Sequence, residues 1–310
     1  ALDHLDEALA RGSRSGRALN LKSAIERALG DYAAAETIAR RQVLRDPLDL
    51  WARVELGCFE DNADEIRAMF GRKPENYLDA VCAYMEAGFY GDALRLIDLA
   101  RSDYPLIAYY RAHILHLLGR EEESMAALLS AAQSGKMCFP ARLEDIAVLR
   151  DAIDRNGADA NACYDLGNLF YDRFRYDEAV SLWEEAIRRD PTHAGALRNL
   201  ALAYYDRRGD AASARVCLEK ALALRHDPRL LFEYQQLLKA MNLSVQERLD
   251  AYDRYADLLA VRDDCWLDRI VLLSQQGRYE EAIRAAQGRH FHIYEGGEGK
   301  LTKQHAWMHV

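Results

Sequence analysis

Residues 161–191 read NACYDLGNLFYDRFRYDEAVSLWEEAIRRDP, and the placing of small and large residues in this stretch predicts two helices that cross at close range. Gly167 and Ala179 leave room for the crossing, Phe170 and Trp183 fill the space on either side, and Ala186 lets the next element approach. A Leu at Ala179 would overpack the crossing and cost about 1–3 kcal/mol. Pro191 closes the unit.

The same grammar extends in both directions. The prolines are Pro47, Pro74, Pro105, Pro140, Pro191 and Pro228; none interrupts a helical pattern. Several intervals between them fall near ~34 residues, the period of a helix-pair repeat. Three follow aspartate, at Asp46-Pro47, Asp190-Pro191 and Asp227-Pro228. Aspartate accepts from a free N–H at a helix start and proline tolerates the first helical position, so each pair is expected to open a helix. Further units fit residues 16–47, 74–105, 108–139, 194–228 and 263–289, with turns at Gly30-Asp31-Tyr32, Gly88-Phe89-Tyr90, Gly209-Asp210 and Gly277-Arg278-Tyr279. Residues 48–73 read as a shortened unit, and 229–262 as two helical segments without the small-residue signature. Residues 140–159 read as one extra helix with Leu143, Ile146, Leu149 and Ile153 on a face.

With Leu166-Gly167, Phe170, Ala179, Trp183, Ala186 and Pro191 in place, the chain resembles the tetratricopeptide-repeat family. The resemblance covers most of residues 16–289 and is sharpest over 160–226. It implies an all-α, right-handed solenoid of antiparallel helix pairs, about seven units over residues 1–289, with residues 290–310 as a non-helical capping tail. Leu2, Leu5 and Leu9 form a short apolar stripe that is expected to pack on the first full repeat or on a second copy.

Bulk properties exclude several classes. A length of 310 residues exceeds one compact core, which leaves two domains or an elongated array. No apolar run approaches the ~18–20 residues of a membrane span, and no segment has the order of a signal peptide. The net charge of −9 opposes general nucleic-acid binding, which needs a cationic face. The chain begins at Ala1, which reads as a fragment, and a cytoplasmic location is expected. Cys58, Cys82, Cys138, Cys163, Cys217 and Cys265 have no metal-ligand spacing and are read as small buried hydrophobes.

The tail reads HFHIYEGGEGKLTKQHAWMHV. Its GGEGK is not a phosphate loop: Tyr294 stands where the first glycine belongs, and Leu301 where Ser or Thr belongs. His290, His292, His305 and His309 lack a fixed mutual spacing, so a cap over the last repeat is favoured over a metal site. HIYEGGEGK, with Phe139-Pro140, also resembles the end segment of large bacterial tetratricopeptide proteins with an uncharacterised N-terminal β-rich domain.

In the family, the first helix of each repeat lines a concave groove. Projected here, the resemblance implies a groove of Tyr109, His113, His116, Asn161, Tyr164, Asn168, Tyr171, Arg198, Asn199 and Tyr205. Asparagine carries both a donor and an acceptor and can hold a peptide backbone without reading its sequence. Tyrosine offers a flat apolar body with a polar tip. Asn168 and Asn199 match clamp positions for C-terminal carboxylates. Tyr164 replaces the clamp lysine, and Arg198 is expected to stand in for it. Glu86, Asp172 and Asp206 oppose an anionic ligand and keep a partly basic peptide open. The expected function is a protein- or peptide-binding scaffold with no catalysis, cofactor or metal, and with no nucleic-acid or membrane partner. The competing reading is a helical accessory region of a larger, carbohydrate-directed enzyme. No catalytic triad, HExxH or dinucleotide-binding glycine pattern is present.

Overall fold

The computed structural model describes residues 2–11, 15–57, 63–292, 299 and 302–303. All nineteen elements among these residues are helices: α1 (Leu2–Ala10), α2 (Gly16–Leu29), α3 (Tyr32–Arg45), α4 (Leu50–Gly57), α5 (Ala63–Phe70), α6 (Pro74–Glu86), α7 (Tyr90–Leu99), α8 (Pro105–Leu117), α9 (Glu121–Ala132) and α10 (Leu143–Arg155). They continue with α11 (Ala160–Asp172), α12 (Tyr176–Arg189), α13 (Ala194–Arg208), α14 (Ala211–Leu224), α15 (Pro228–Ala240), α16 (Val245–Arg254), α17 (Ala256–Leu259), α18 (Asp263–Gln275) and α19 (Tyr279–Gln287). The chain is an all-α solenoid of helix pairs. No helix of the described residues is long and apolar enough to cross a membrane. Cys58, His305, His309 and most of the tail motif lie outside the described residues.

The chain divides into two compact units, Ala1–Asp165 and Leu166–Val310. In unit 1, α2 packs on α3, α6 on α7 and α8 on α9, while α3 meets α4, α7 meets α8, and α10 lies on α8. α1 packs on α2 with Leu2, Leu5 and Leu9 half-buried. Close approach within pairs is set by small residues: Ser23 Oγ donates to the Ala35 carbonyl (2.8 Å) and Ser124 Oγ to that of Ala112 (2.6 Å). A buried charge network ties successive pairs. Arg27 Nε donates to Glu55 (2.9 Å), Arg27 Nη2 to Asp92 (2.9 Å), and Tyr84 Oη to Glu55 (2.6 Å). Burial opposes the Arg27 charge, but Glu55 and Asp92 outweigh it and hold the guanidinium firmly protonated.

In unit 2, α13 packs on α12 and α14, α14 on α15, α15 on α16, and α18 on α16 and α19. Its core includes Leu197, Leu218, Leu231, Tyr234, Leu238, Tyr252, Ile270 and Leu273, with Phe291 packed against it. The descent into the tail is pinned at Asp263, which accepts from Arg289 Nε (2.5 Å) and the His292 amide (2.8 Å).

Two expectations change. Only Asp227-Pro228 opens a helix, with Asp227 accepting from the Arg229 amide (2.8 Å). Asp46 and Asp190 instead follow the last residue of α3 and α12, and each folds back on the amide two residues on, Leu48 and Thr192. That local turn places a fresh cap three residues later, Asp49 for α4 and His193 for α13. In α10 the buried face is Asp145, Val148, Leu149 and Ala152, and Leu143 is 75% exposed. The face rotates because Asp145 turns inward, accepting from Tyr110 Oη (2.6 Å) and from the Ala141 and Arg142 amides.

Candidate functional site: a cleft over the α11–α12–α13 crossing

The crossing read from residues 161–191 is present in unit 2. A Cβ on Gly167 would lie 2.5 Å from Trp183 Nε1, 2.6 Å from Trp183 Cδ1 and 3.2 Å from the Ala179 carbonyl oxygen. Glycine is therefore required for packing, since its backbone is ordinary helix. Above this contact lies a cleft of about 230 Å³ lined by Asn168, Tyr171, Asp172, Trp183, Asn199 and Leu202.

Hydrogen bonds fix the polar groups of the cleft. Asn168 Oδ1 accepts from Trp183 Nε1 (3.2 Å) and from Asn199 Nδ2 (2.8 Å). Both acceptor sites of that carbonyl are engaged, and no described residue accepts from Asn168 Nδ2. Among the described residues, Asn199 Oδ1 receives only a long bond from Arg198 Nη1 (3.4 Å). The pair thus offers a donor on one side and an acceptor on the other, the complement of a peptide group. Tyr171 packs on Trp183 (ring centroids 5.2 Å apart) and edge-on against Tyr176 (4.9 Å), whose ring carries Arg207 at 3.8 Å.

The charge balance argues against an anionic ligand here. Arg198 Nε and Nη2 hold Glu233 through two bonds of 2.7 and 2.6 Å, so this guanidinium is already committed to a carboxylate and does not replace the missing clamp lysine. Among the described residues Asp172 is the one charged residue lining the cleft, and it lies 3.7 Å from Arg173 Nε. Tyr205 is exposed nearby on α13.

The remaining expected groove residues fall in unit 1, and the structure gives most of them internal partners. Tyr109 is fully buried and donates to Asp159 (3.0 Å), so it belongs to the core and offers no groove surface. Burial, with Asp159 and Asp165 close by, raises its phenol far above the ordinary range. His113 lies 3.0 Å from Asp151 and His116 2.6 Å from Glu121, and Arg155 bridges the same two carboxylates. Asn161 Nδ2 donates to the Ala132 carbonyl (2.8 Å), and Tyr164 is half-buried. Trp183 and Leu202 were not anticipated as cleft walls. Trp183 was legible as a partner of Gly167, but its double duty required seeing Nε1 reach Asn168. Among the described residues no group of His, Cys, Asp and Glu is placed to hold a metal ion. Among the described residues, Cys82, Cys138, Cys163 and Cys265 are buried and Cys217 is half-buried, and none of them forms a disulfide.

Successive helix pairs crossing at small residues, with a polar cleft on one face, define a helical-repeat protein. The tetratricopeptide-repeat family model matches residues 78–136 and 164–228, and the chain carries tetratricopeptide repeats in both stretches. Solved structures similar to this chain include YrrB, described as a TPR protein with an unusual peptide-binding site. It shares 17% identity, covering 78% of this chain and 100% of that one, with a TM-score of 0.28. The C-terminal part of a TPR repeat-containing protein from Cytophaga hutchinsonii shares 14% identity over 86% and 92% of the two chains, with a TM-score of 0.42. PilF from Pseudomonas aeruginosa shares 17% identity over 75% and 96%, with a TM-score of 0.40.

Proposed function

We propose that this chain is a repeat-based interaction scaffold whose unit 2 cleft holds an extended peptide segment by its backbone. The observation that carries the reading is the Asn168–Asn199 pair, locked by Trp183 so that one amide donor and one carbonyl acceptor remain for a ligand. Tyr171 and Leu202 supply apolar contact beside it. The commitment of Arg198 to Glu233 and the presence of Asp172 favour a neutral or basic segment over a free C-terminal carboxylate.

The test is capture from an unbiased displayed peptide library by the wild-type chain and by Asn168→Ala/Asn199→Ala. Loss of enrichment in the variant, with helicity and melting nearly intact, supports the reading. Equal enrichment refutes it. A large fall in melting assigns both asparagines to structure, and Leu202→Glu, at an exposed position, then serves as the blocking variant.

A further inference from the structure

Helix α13 begins on a titratable ring. Its N-cap is His193, with φ −74° and ψ 84°, and the imidazole Nδ1 accepts from the Ala196 amide at 3.1 Å. An imidazole nitrogen accepts only through a free lone pair, so this bond requires the neutral ring with its proton on Nε2. Turning the ring over would set a C–H against the amide and lose the bond. Asp31, Asp159 and Asp210 make the equivalent bond at the starts of α3, α11 and α14 (2.9, 2.9 and 3.0 Å). A carboxylate keeps its charge down to about pH 4, whereas an imidazole takes up a proton near about pH 6.5. Among the described residues, the side-chain cap of α13 is the one made by a group that titrates close to neutrality.

Protonation of this ring would act on α13 in three ways. Nδ1 would become a donor facing the Ala196 donor. Ala196 is fully buried, so its N–H would find no water in exchange. The new charge would also sit at the positive end of the helix dipole. The turn it caps reads Ala194-Gly195-Ala196-Leu197, and glycine there costs about 1 kcal/mol of helix propensity relative to alanine.

The surroundings divide over the proton. Burial disfavours it and outweighs the His193 carbonyl and the Asp190 carboxylate, which favour it, so the ring titrates below its ordinary range. Asp190, on the turn leaving α12, accepts from the Thr192 amide and hydroxyl (2.9 and 2.6 Å). Arg188 and Arg189, on the last turn of α12, are paired with Glu185, and Arg229 at the start of α15 with Glu233. The end of α14, which packs on α13, brings Lys220, Arg225 and His226, the last 2.8 Å from Asp257. Along α13 the first charged residue is Arg198, held by Glu233. A lowered folded value means that the stability from this cap is complete above the unfolded value, near ~6.5, and is lost as pH falls through the folded one.

We propose that His193 is a proton-operated cap: neutral, it closes the first turn of α13, and protonated, it releases the Ala196 N–H and frays residues 194–197. Because α13 carries Asn199 and Leu202, the change reaches one wall of the unit 2 cleft, whatever that cleft binds.

The test follows histidine and amide resonances of the full chain from about pH 7.5 to about pH 5. Among the nine histidines, the His193 signal is the one lost in His193→Asn, which keeps an N-cap acceptor that does not titrate. The His193 ring is expected to titrate within this window, with a midpoint below ~6.5. The Ala196 amide and the Asn199 side-chain amide should move with the same midpoint and stay still in His193→Asn. At about pH 5, protection of the Ala196 amide from exchange should be at least about tenfold lower in wild type than in the variant. A ring that stays neutral to the end of the window overturns the proposal, as does a titration that leaves the Ala196 amide in place. Equal protection, or amide movement that survives in His193→Asn, also overturns it. A static Asn199 beside a moving Ala196 overturns the transmission to the cleft. If His193→Asn does not fold, His193→Asp takes its place, since aspartate caps α3, α11 and α14.

Discussion

Replacing Gly167 by alanine sets two effects of known sign against each other. Gly167 lies inside α11, where alanine gains about 1 kcal/mol of helix propensity over glycine. Against this, the new methyl would sit 2.5–2.6 Å from the Trp183 ring and 3.2 Å from the Ala179 carbonyl oxygen. Trp183 is 2% exposed and Ala179 0%, so neither yields cheaply. Overpacking a close contact costs about 1–3 kcal/mol. A displaced indole also loses its bond to Asn168, worth about 1 kcal/mol. The net expectation is a destabilisation of about 1–3 kcal/mol. Urea unfolding followed by both helicity and indole fluorescence measures it, with an unchanged slope confirming that the native state shifted rather than the unfolded ensemble. A double-mutant cycle with Trp183→Phe should show coupling of at least about 0.5 kcal/mol, because the smaller ring relieves the clash. Gly167→Ala as stable as wild type, or more so, would mean that propensity wins and that α11 and α12 do not cross at this range.

Phe174 sits in the left-handed region (φ 62°) where the corresponding turns use Gly30, Gly88, Gly119, Gly209 and Gly277, and it is 78% exposed. Phe174→Gly should therefore raise stability by about 1 kcal/mol, read as an increase in melting temperature. Glu55→Ala should cost about 3–5 kcal/mol by urea unfolding, because it strips the fully buried carboxylate from Arg27 and Tyr84. Burial holds the Asp165 carboxyl well above its ordinary range, opposed by the Cys138 thiol hydrogen bond and reinforced by the Asp159 charge. A raised folded value means that the stability this group contributes is complete below its unfolded value, near ~3.9, and is lost as pH rises through the folded value. Asp165→Asn should accordingly gain on wild type in urea midpoint between pH 4 and pH 8, and parallel curves would contradict that assignment.

The fold was legible because its determinants are local. Gly167, Ala179 and Trp183 lie within one helix pair, and the glycine turns announce themselves one residue at a time. Helix starts were less legible. Asp-Pro was read as cap and first turn, but Asp46 and Asp190 make side-chain turns that defer the helix by three residues, and the sequence of a turn and of a cap is the same up to that point. Site residues were legible where one repeat repeats another, as with Asn168 and Asn199. They were not where a side chain's partner comes from a distant helix. Nothing near Tyr109 in sequence announces Asp159, and nothing near Arg198 announces Glu233.

The most direct test of the scaffold reading is the affinity of Leu202→Glu for a library-selected peptide, measured beside its unfolding curve. Leu202 is partly exposed at the cleft edge, so the variant should stay within about 0.5 kcal/mol of wild-type stability. Peptide affinity should fall at least about tenfold, the equivalent of about 1.4 kcal/mol. Retained affinity in a stably folded Leu202→Glu chain would contradict the assignment of the cleft between Asn168, Trp183 and Asn199 as the binding site.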